Sequence, residues 1–213
     1  MRILIASRNP YKVAEIRAIL DDPALPFEWA SALDYPDIPE PVEDGDTLEA
    51  NAIKKAVYWR DITGGWALAD DSGVEVDALH GAPGVISAIY AGPERDAAAN
   101  NAKLLAELGD RPDRRARFRC VMALAGPGFP PQTVEGRCDG VIGHAPRGAC
   151  GFGYDPIFIP DGYSRTYAEL SPEEKNRISH RGRALAAARA AWGDLLRQAA
   201  LNRDRHPPFT ETG

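Results

Sequence analysis

The sequence predicts an α/β fold built on a mixed β-sheet. Three observations predict it. Over residues 2–76, short apolar runs alternate with helix-spaced segments, the strand–helix–strand order of parallel units. Residues 117–142 then read as two strands about a turn, an antiparallel hairpin that a doubly wound parallel sheet lacks. A long Ala/Leu-rich helix follows. A chain of 213 residues suits one large domain or two lobes with a shared core.

Arg2 to Ala6 make a buried first strand. Asn9 before Pro10 is a helix start, a capping side chain followed by proline at the first helical position. Val13, Ile16, Ile19 and Leu20 continue at helical spacing. Residues 21–46 are rich in proline and acids and form a loop, with at most one short strand near Phe27 to Ala30. Thr47 caps a second helix that ends near Gly64-Gly65, with Glu49 in its first turn. Trp66 to Ala69 form a strand that runs into Asp70-Asp71-Ser72-Gly73, read as a turn of acids and turn formers at the strand's carboxyl end. Residues 94–108 are helical. In the hairpin's first strand Phe118, Cys120, Met122 and Leu124 share one face; Gln132 to Ile142 return. Ser171-Pro172-Glu173-Glu174 is a capping box with proline at the first position. The last helix runs to about Ala200, burying Leu185, Ala188, Trp192, Leu195, Leu196 and Ala199. The tail 201–213 carries Pro207-Pro208 and reads as a flexible end.

Composition removes several function classes. The net charge is −6, with 31 acids against 25 lysines and arginines, so no broad basic field exists for nucleic acid or an anionic membrane. No apolar run approaches the ~18 residues of a membrane span. The first strand is too short for the apolar core of a signal peptide. Three widely spaced cysteines and four histidines without zinc-like spacing indicate reduced thiols in a cytoplasmic protein. Neither a P-loop nor a strand-to-helix G-x-G-x-x-G motif is present.

The remaining candidates are cations, acids and one aromatic loop. Arg8 and Lys12 flank a helix N-terminus, where positive charge is unfavourable without an anion. A phosphate would use the free N–H groups and both side chains; a solvated helix end is the alternative. Thr47, Asn51 and Lys55 share a helix face and face either phosphates or water. Asp70 and Asp71 are either a surface turn or a metal site, and as strand residues they could not both aim into one cleft. Gly151-Phe152-Gly153-Tyr154-Asp155-Pro156 suits stacking on a flat base or simply a packed turn.

Four signatures stand together: Ser7-x-Asn9-x-x-Lys12; Glu43-Asp44-Gly45-x-Thr47-Leu48 through Asn51 to Lys55; Ala69-Asp70-Asp71-Ser72-Gly73 with Gly81-x-Pro83-Gly84; and Gly151 to Pro156 with Ser179-His180-Arg181. From Met1 to about Ala200 the chain resembles the inosine/xanthosine triphosphate pyrophosphatase family, house-cleaning enzymes that hydrolyse non-standard purine nucleoside triphosphates. The resemblance implies an elongated two-lobed α/β fold, a long central mixed sheet flanked by helices, an active-site cleft between the lobes, and a homodimer. It implies hydrolysis of dITP/ITP and XTP/dXTP to the monophosphate and pyrophosphate with Mg²⁺. Asp71 matches the catalytic, metal-associated acid. Ser7, Arg8, Asn9, Pro10, Tyr11 and Lys12 match the first phosphate loop, and Asn51 and Lys55 the phosphate-facing helix. Ser72, Phe152, Gly153, Tyr154, Asp155, Lys175, His180 and Arg181 match further substrate positions. Glu43 is the choice for a second metal carboxylate, with Glu40 competing. Asp70 is left to brace the turn. One departure stands out: the family's Ser-Ala-Arg-Tyr reads Ser87-Ala88-Ile89-Tyr90 here.

Overall fold

The structure, a computed structural model, describes residues 1–20 and 27–205. Six strands form one mixed sheet in the order β2-β1-β3-β4-β5-β6. These are β1 (Arg2–Ile5), β2 (Glu28–Ser31), β3 (Trp66–Val76), β4 (Arg115–Gly126), β5 (Phe129–Ile142) and β6 (Phe158–Pro160). Strand β1 lies between β2 and β3, parallel to both; the other pairings are antiparallel. The predicted hairpin is therefore β4–β5.

Five helices flank the sheet: α1 (Pro10–Leu20), α2 (Leu48–Thr63), α3 (Ala97–Leu108), α4 (Pro172–Ile178) and α5 (His180–Arg205). Their starts follow the expected chemistry. Asn9 Oδ1 accepts from the Tyr11 and Lys12 amides, Thr47 Oγ1 from Ala50, and Ser171 with Glu174 closes a capping box before Pro172. Helix α5 extends to Arg205, past the expected end at Ala200. The predicted flexible tail thus begins as helix, and its residues 206–213 lie outside those described.

Alternation along the strands sends side chains into two cores at this end of the sheet. Ile3, Ile5 and Leu68 pack with α1 and α5 on one face, where Leu185, Ala188, Trp192 and Leu196 are buried. Leu4, Ala67 and Ala69 pack with α2 on the other, around Trp59. A third core at the far end joins Val74, Val76, Phe118 and Ile142 to Leu104 and Leu108 of α3.

Strand β3 corrects the sequence reading most. Asp70, Asp71, Ser72 and Gly73 are not a turn. They are the middle of an 11-residue strand and pair with Met122, Val121, Cys120 and Arg119 of β4. The twelve-residue β4 lies between β3 and β5 and holds the acids extended, and that tertiary pairing overrides the local turn preference. The other edge of β3 is covered in two stretches. β1 covers it up to Leu68, and the segment after Pro83 covers it from Val74, whose amide donates to Ser87 Oγ at 3.0 Å. Gly73 makes that crossing possible: a Cβ there would strike the Gly84 carbonyl. Between the two covers, Asp70, Asp71 and Ser72 border a gap.

Candidate active site

Because successive strand residues face opposite ways, the two aspartates serve two different clusters. Asp70 points to the α1/α5 face and is 2% exposed. Lys12, in the first turn of α1, reaches its Oδ2 at 3.1 Å, and Arg181 of α5 reaches the same oxygen at 2.9 Å. Ser72 Oγ donates to Asp70 at 3.0 Å and accepts from Arg181 at 3.1 Å. Arg181 also donates to Glu15 at 2.5 Å, and Glu15 takes Lys175 at 2.7 Å. Lys175 in turn donates to Asp155 at 2.6 Å. Gly136 lets this network close: a Cβ there would meet the backbone of His180 and Ala184, so glycine allows the start of α5 to lie directly on β5. Burial opposes ionisation of Asp70, but Lys12 and then Arg181 outweigh it and hold the carboxyl far below its ordinary value.

Asp71 points to the α2 face. Lys55 Nζ lies 2.8 Å from Asp71 Oδ1 and 2.6 Å from Glu43 Oε1, one ammonium between two carboxylates. Asn51 fixes this arrangement, since its Oδ1 accepts the Gly45 amide at 2.8 Å and its Nδ2 approaches Asp71 at 3.4 Å. Burial raises the Asp71 pKa, and Lys55 and Lys12 offset that only in part. Burial likewise opposes ionisation of Glu43, yet Lys55, Lys12 and Arg95 leave its carboxyl lowered. Of Glu40 and Glu43, Glu43 is the acid that meets Lys55.

The aromatic loop lies beside the Asp70 cluster. Phe152 stacks on Tyr11 with ring centroids 5.6 Å apart and planes 19° from parallel. Lys175 Nζ is 4.8 Å and the Arg181 guanidinium 5.6 Å from the Phe152 centroid. Phe152 is the loop's accessible ring. Tyr154 is buried, with its hydroxyl donating to the Ser87 carbonyl at 2.8 Å, and the Gly153 carbonyl accepts from Asn101 Nδ2. Asp155 is also buried and accepts the Phe152 amide at 2.8 Å, so it shapes the loop while holding Lys175. His180 stacks on Phe118 at 4.5 Å, and its buried Nδ1 has no partner. Burial, then Arg181, push its pKa well below the ordinary value, leaving a neutral ring at pH 7.

Most of the expected residues therefore converge on the gap beside β3. Arg8 does not turn to it: its guanidinium donates to the carbonyls of Tyr35, Pro36 and Ile38, tying the following loop to β1's end. Ser7 and Asn9 engage backbone amides of their own turn, and Pro10 opens the helix. The cation at the α1 N-terminus is offset by Asp70 rather than by solvent. The sequence reading missed Glu15, which links Lys175 to Arg181. A signal existed: Glu15 stands three residues after Lys12, on the same helix face.

The family model described as the Ham1 family matches residues 3–191. A dITP/XTP pyrophosphatase of Desulfotalea psychrophila is 52% identical over 195 residues, covering 92% of this chain and 86% of its own. That of Geobacter sulfurreducens is 54% identical over 187 residues, covering 87% and 93%. Among solved structures, a HAM1 protein from Coxiella burnetii superimposes with a TM-score of 0.83 at 42% identity, over 91% of this chain and 99% of that one. A dITP/XTP pyrophosphatase from Mycobacterium abscessus gives 0.72 at 50% identity, over 88% and 98%. With the family model spanning nearly all of the described chain and the fold shared along its length, this protein belongs to the Ham1 family.

Proposed function

We propose that this chain hydrolyses non-standard purine nucleoside triphosphates, dITP/ITP and XTP/dXTP, to the monophosphate and pyrophosphate. The observation that carries the reading is the pair of acids on opposite faces of β3. One anchors cations beside an accessible aromatic ring; the other shares an ammonium with a second carboxylate. A base stacked on Phe152 places its phosphates toward Lys12, Asp71 and Lys55. The names of the relatives in Desulfotalea psychrophila and Geobacter sulfurreducens support the same reaction and substrates.

Two carboxylates meeting on one ammonium form a hard-oxygen donor pair that suits Mg²⁺. Among the described residues no group of three or more His, Cys, Asp or Glu could hold a metal. Asp71 and Glu43 would therefore hold the ion together with phosphate oxygens, a common arrangement for Mg²⁺. When bound it neutralises charge on the phosphates. The protein's own groups do the rest. Lys12 and Lys55 supply positive charge, and Asn51 holds the Glu43 loop against Asp71. Asp71 accepts a proton from the water that attacks the α-phosphorus. Hypoxanthine and xanthine carry a 6-oxo acceptor where adenine has an amino group. Donors beside Phe152, among them Arg181 and Lys175, pair with the former and would face a donor in the latter.

A cytoplasmic homodimer belongs to the same reading. Among the described residues no helix is long and apolar enough to cross a membrane. Ile89 is 43% exposed beside Ile86 at 50%, an apolar pair suited to a subunit contact. A single domain over residues 1–200 completes the proposal. The decisive experiment incubates the protein and Mg²⁺ with dITP, XTP, dGTP and dATP. Pyrophosphate from the first two alone is the expected result; orthophosphate, or no product, overturns it.

A further inference from the structure

Arg95 stands outside every motif that led to the site, yet it reaches the site. It lies in the turn before α3, next to the Asp96 cap, with φ at +57°. That left-handed conformation suits glycine or asparagine and is uncommon for a long side chain. Such conformations persist where something outside the turn requires them. The guanidinium passes its neighbours Glu94 and Asp96 and meets Glu43 Oε2 at 3.5 Å, across 52 residues of sequence.

Glu43 fixes where along the cleft this is. A run of contacts leads from Phe152 to Arg181 and Asp70. From Asp71, the next residue on the strand, a second run leads to Lys55, Glu43 and Arg95. Arg95 is at the end farthest from the aromatic ring. The neighbouring cation at this end, Lys55, is closely held by two carboxylates at 2.6 and 2.8 Å, and Lys12, nearer the ring, is held by Asp70 at 3.1 Å. Arg95 has a single long contact and a side chain 58% exposed. It is the cation freest to exchange a carboxylate for another anion.

We propose that Arg95 binds the outer phosphates of the substrate, the pair that leaves as pyrophosphate, and releases Glu43 in doing so. A guanidinium presents parallel N–H donors that match two phosphate oxygens, which a lysine cannot. The proposal rests on the triphosphate reading above and extends it to a residue on the opposite side of the gap from α1.

Calorimetric titration with inorganic pyrophosphate, and separately with dIMP, tests it on the full chain. Arg95→Asn suits the turn's conformation and should melt at the wild-type temperature. It should bind pyrophosphate roughly tenfold more weakly, as expected for losing a charge-assisted pair, while dIMP binds as before. Arg95→Lys should recover only part of the loss, and the KM for dITP should rise in both variants. Wild-type affinity for pyrophosphate in Arg95→Asn overturns the proposal. So does an equal loss for pyrophosphate and dIMP, which marks a distorted site. The triphosphate reading fails separately, if the wild type releases no pyrophosphate from dITP or XTP.

Discussion

Asp70 and Asp71 are one peptide bond apart and live in opposite environments. Asp70 lies under α1 and α5, 2% exposed, with Lys12, Arg181 and Ser72 all on one of its oxygens. Asp71 lies under α2 and shares its one ammonium with Glu43. Cations outnumber acids around the first carboxyl, and its pKa falls; around the second, burial prevails and the pKa rises. The difference teaches how a strand can divide labour. A period of two lets a single Asp-Asp pair anchor Lys12 and Arg181 on one face and share Lys55 with Glu43 on the other.

The largest effect should come from the open face. Asp71→Asn keeps the shape and removes the proton acceptor, so turnover of dITP should fall by about 10²–10⁴-fold, the range for a lost general base. Its thermal midpoint should not fall, because an ionised carboxylate that burial disfavours has been replaced by a neutral amide. Steady-state kinetics beside a melt checks both halves. Activity within a few-fold of wild type would remove Asp71 from the chemistry.

The closed face predicts the reverse. Asp70→Asn leaves Arg181 buried, with Glu15 as its remaining carboxylate. Breaking a buried pair by removing one partner costs about 3–5 kcal/mol; Glu15 places the expected loss near the lower end. Urea unfolding should show it as a lower midpoint at unchanged slope. A variant as stable as wild type would mean that the Asp70 cluster does not hold α5 to the sheet.

The contrast between the two faces was only half legible in sequence. The helix starts at Asn9-Pro10, Thr47 and Ser171-Pro172 are local chemistry, and the structure keeps all three. Lys12 and Lys55 were identifiable as candidate phosphate contacts on capped helices, with solvent as the alternative for each. The strand through Asp70-Asp71-Ser72-Gly73 was not, because four turn-forming residues in a row outweigh strand preference until β4 is placed beside them. Nor could sequence show that Arg8 turns to three backbone carbonyls, or that Tyr154 and Asp155 are buried. These depend on partners 20 to 67 residues away. Asp155, for example, is held by Lys175 of another helix.

The smallest effect is the sharpest comparison, because it depends on sign alone. In buffer containing a chelator, stability against pH should separate the two aspartates. The folded pKa of Asp70 is lowered, so its stabilisation is present above the unfolded value near ~4 and is lost as pH falls below it. The folded pKa of Asp71 is raised, so its ionised form costs stability above that raised value. This cost disappears as pH falls from there toward ~4, where the unfolded chain also takes its proton. Relative to wild type, Asp70→Asn should thus show a deficit that persists down to about pH 4 and narrows only below it. Asp71→Asn should show a smaller surplus, or none, that has already closed by about pH 4. Melting curves at half-unit pH steps resolve the two windows. A deficit of the same sign in both variants, closing over the same range, would mean that the two faces of β3 are not electrostatically distinct.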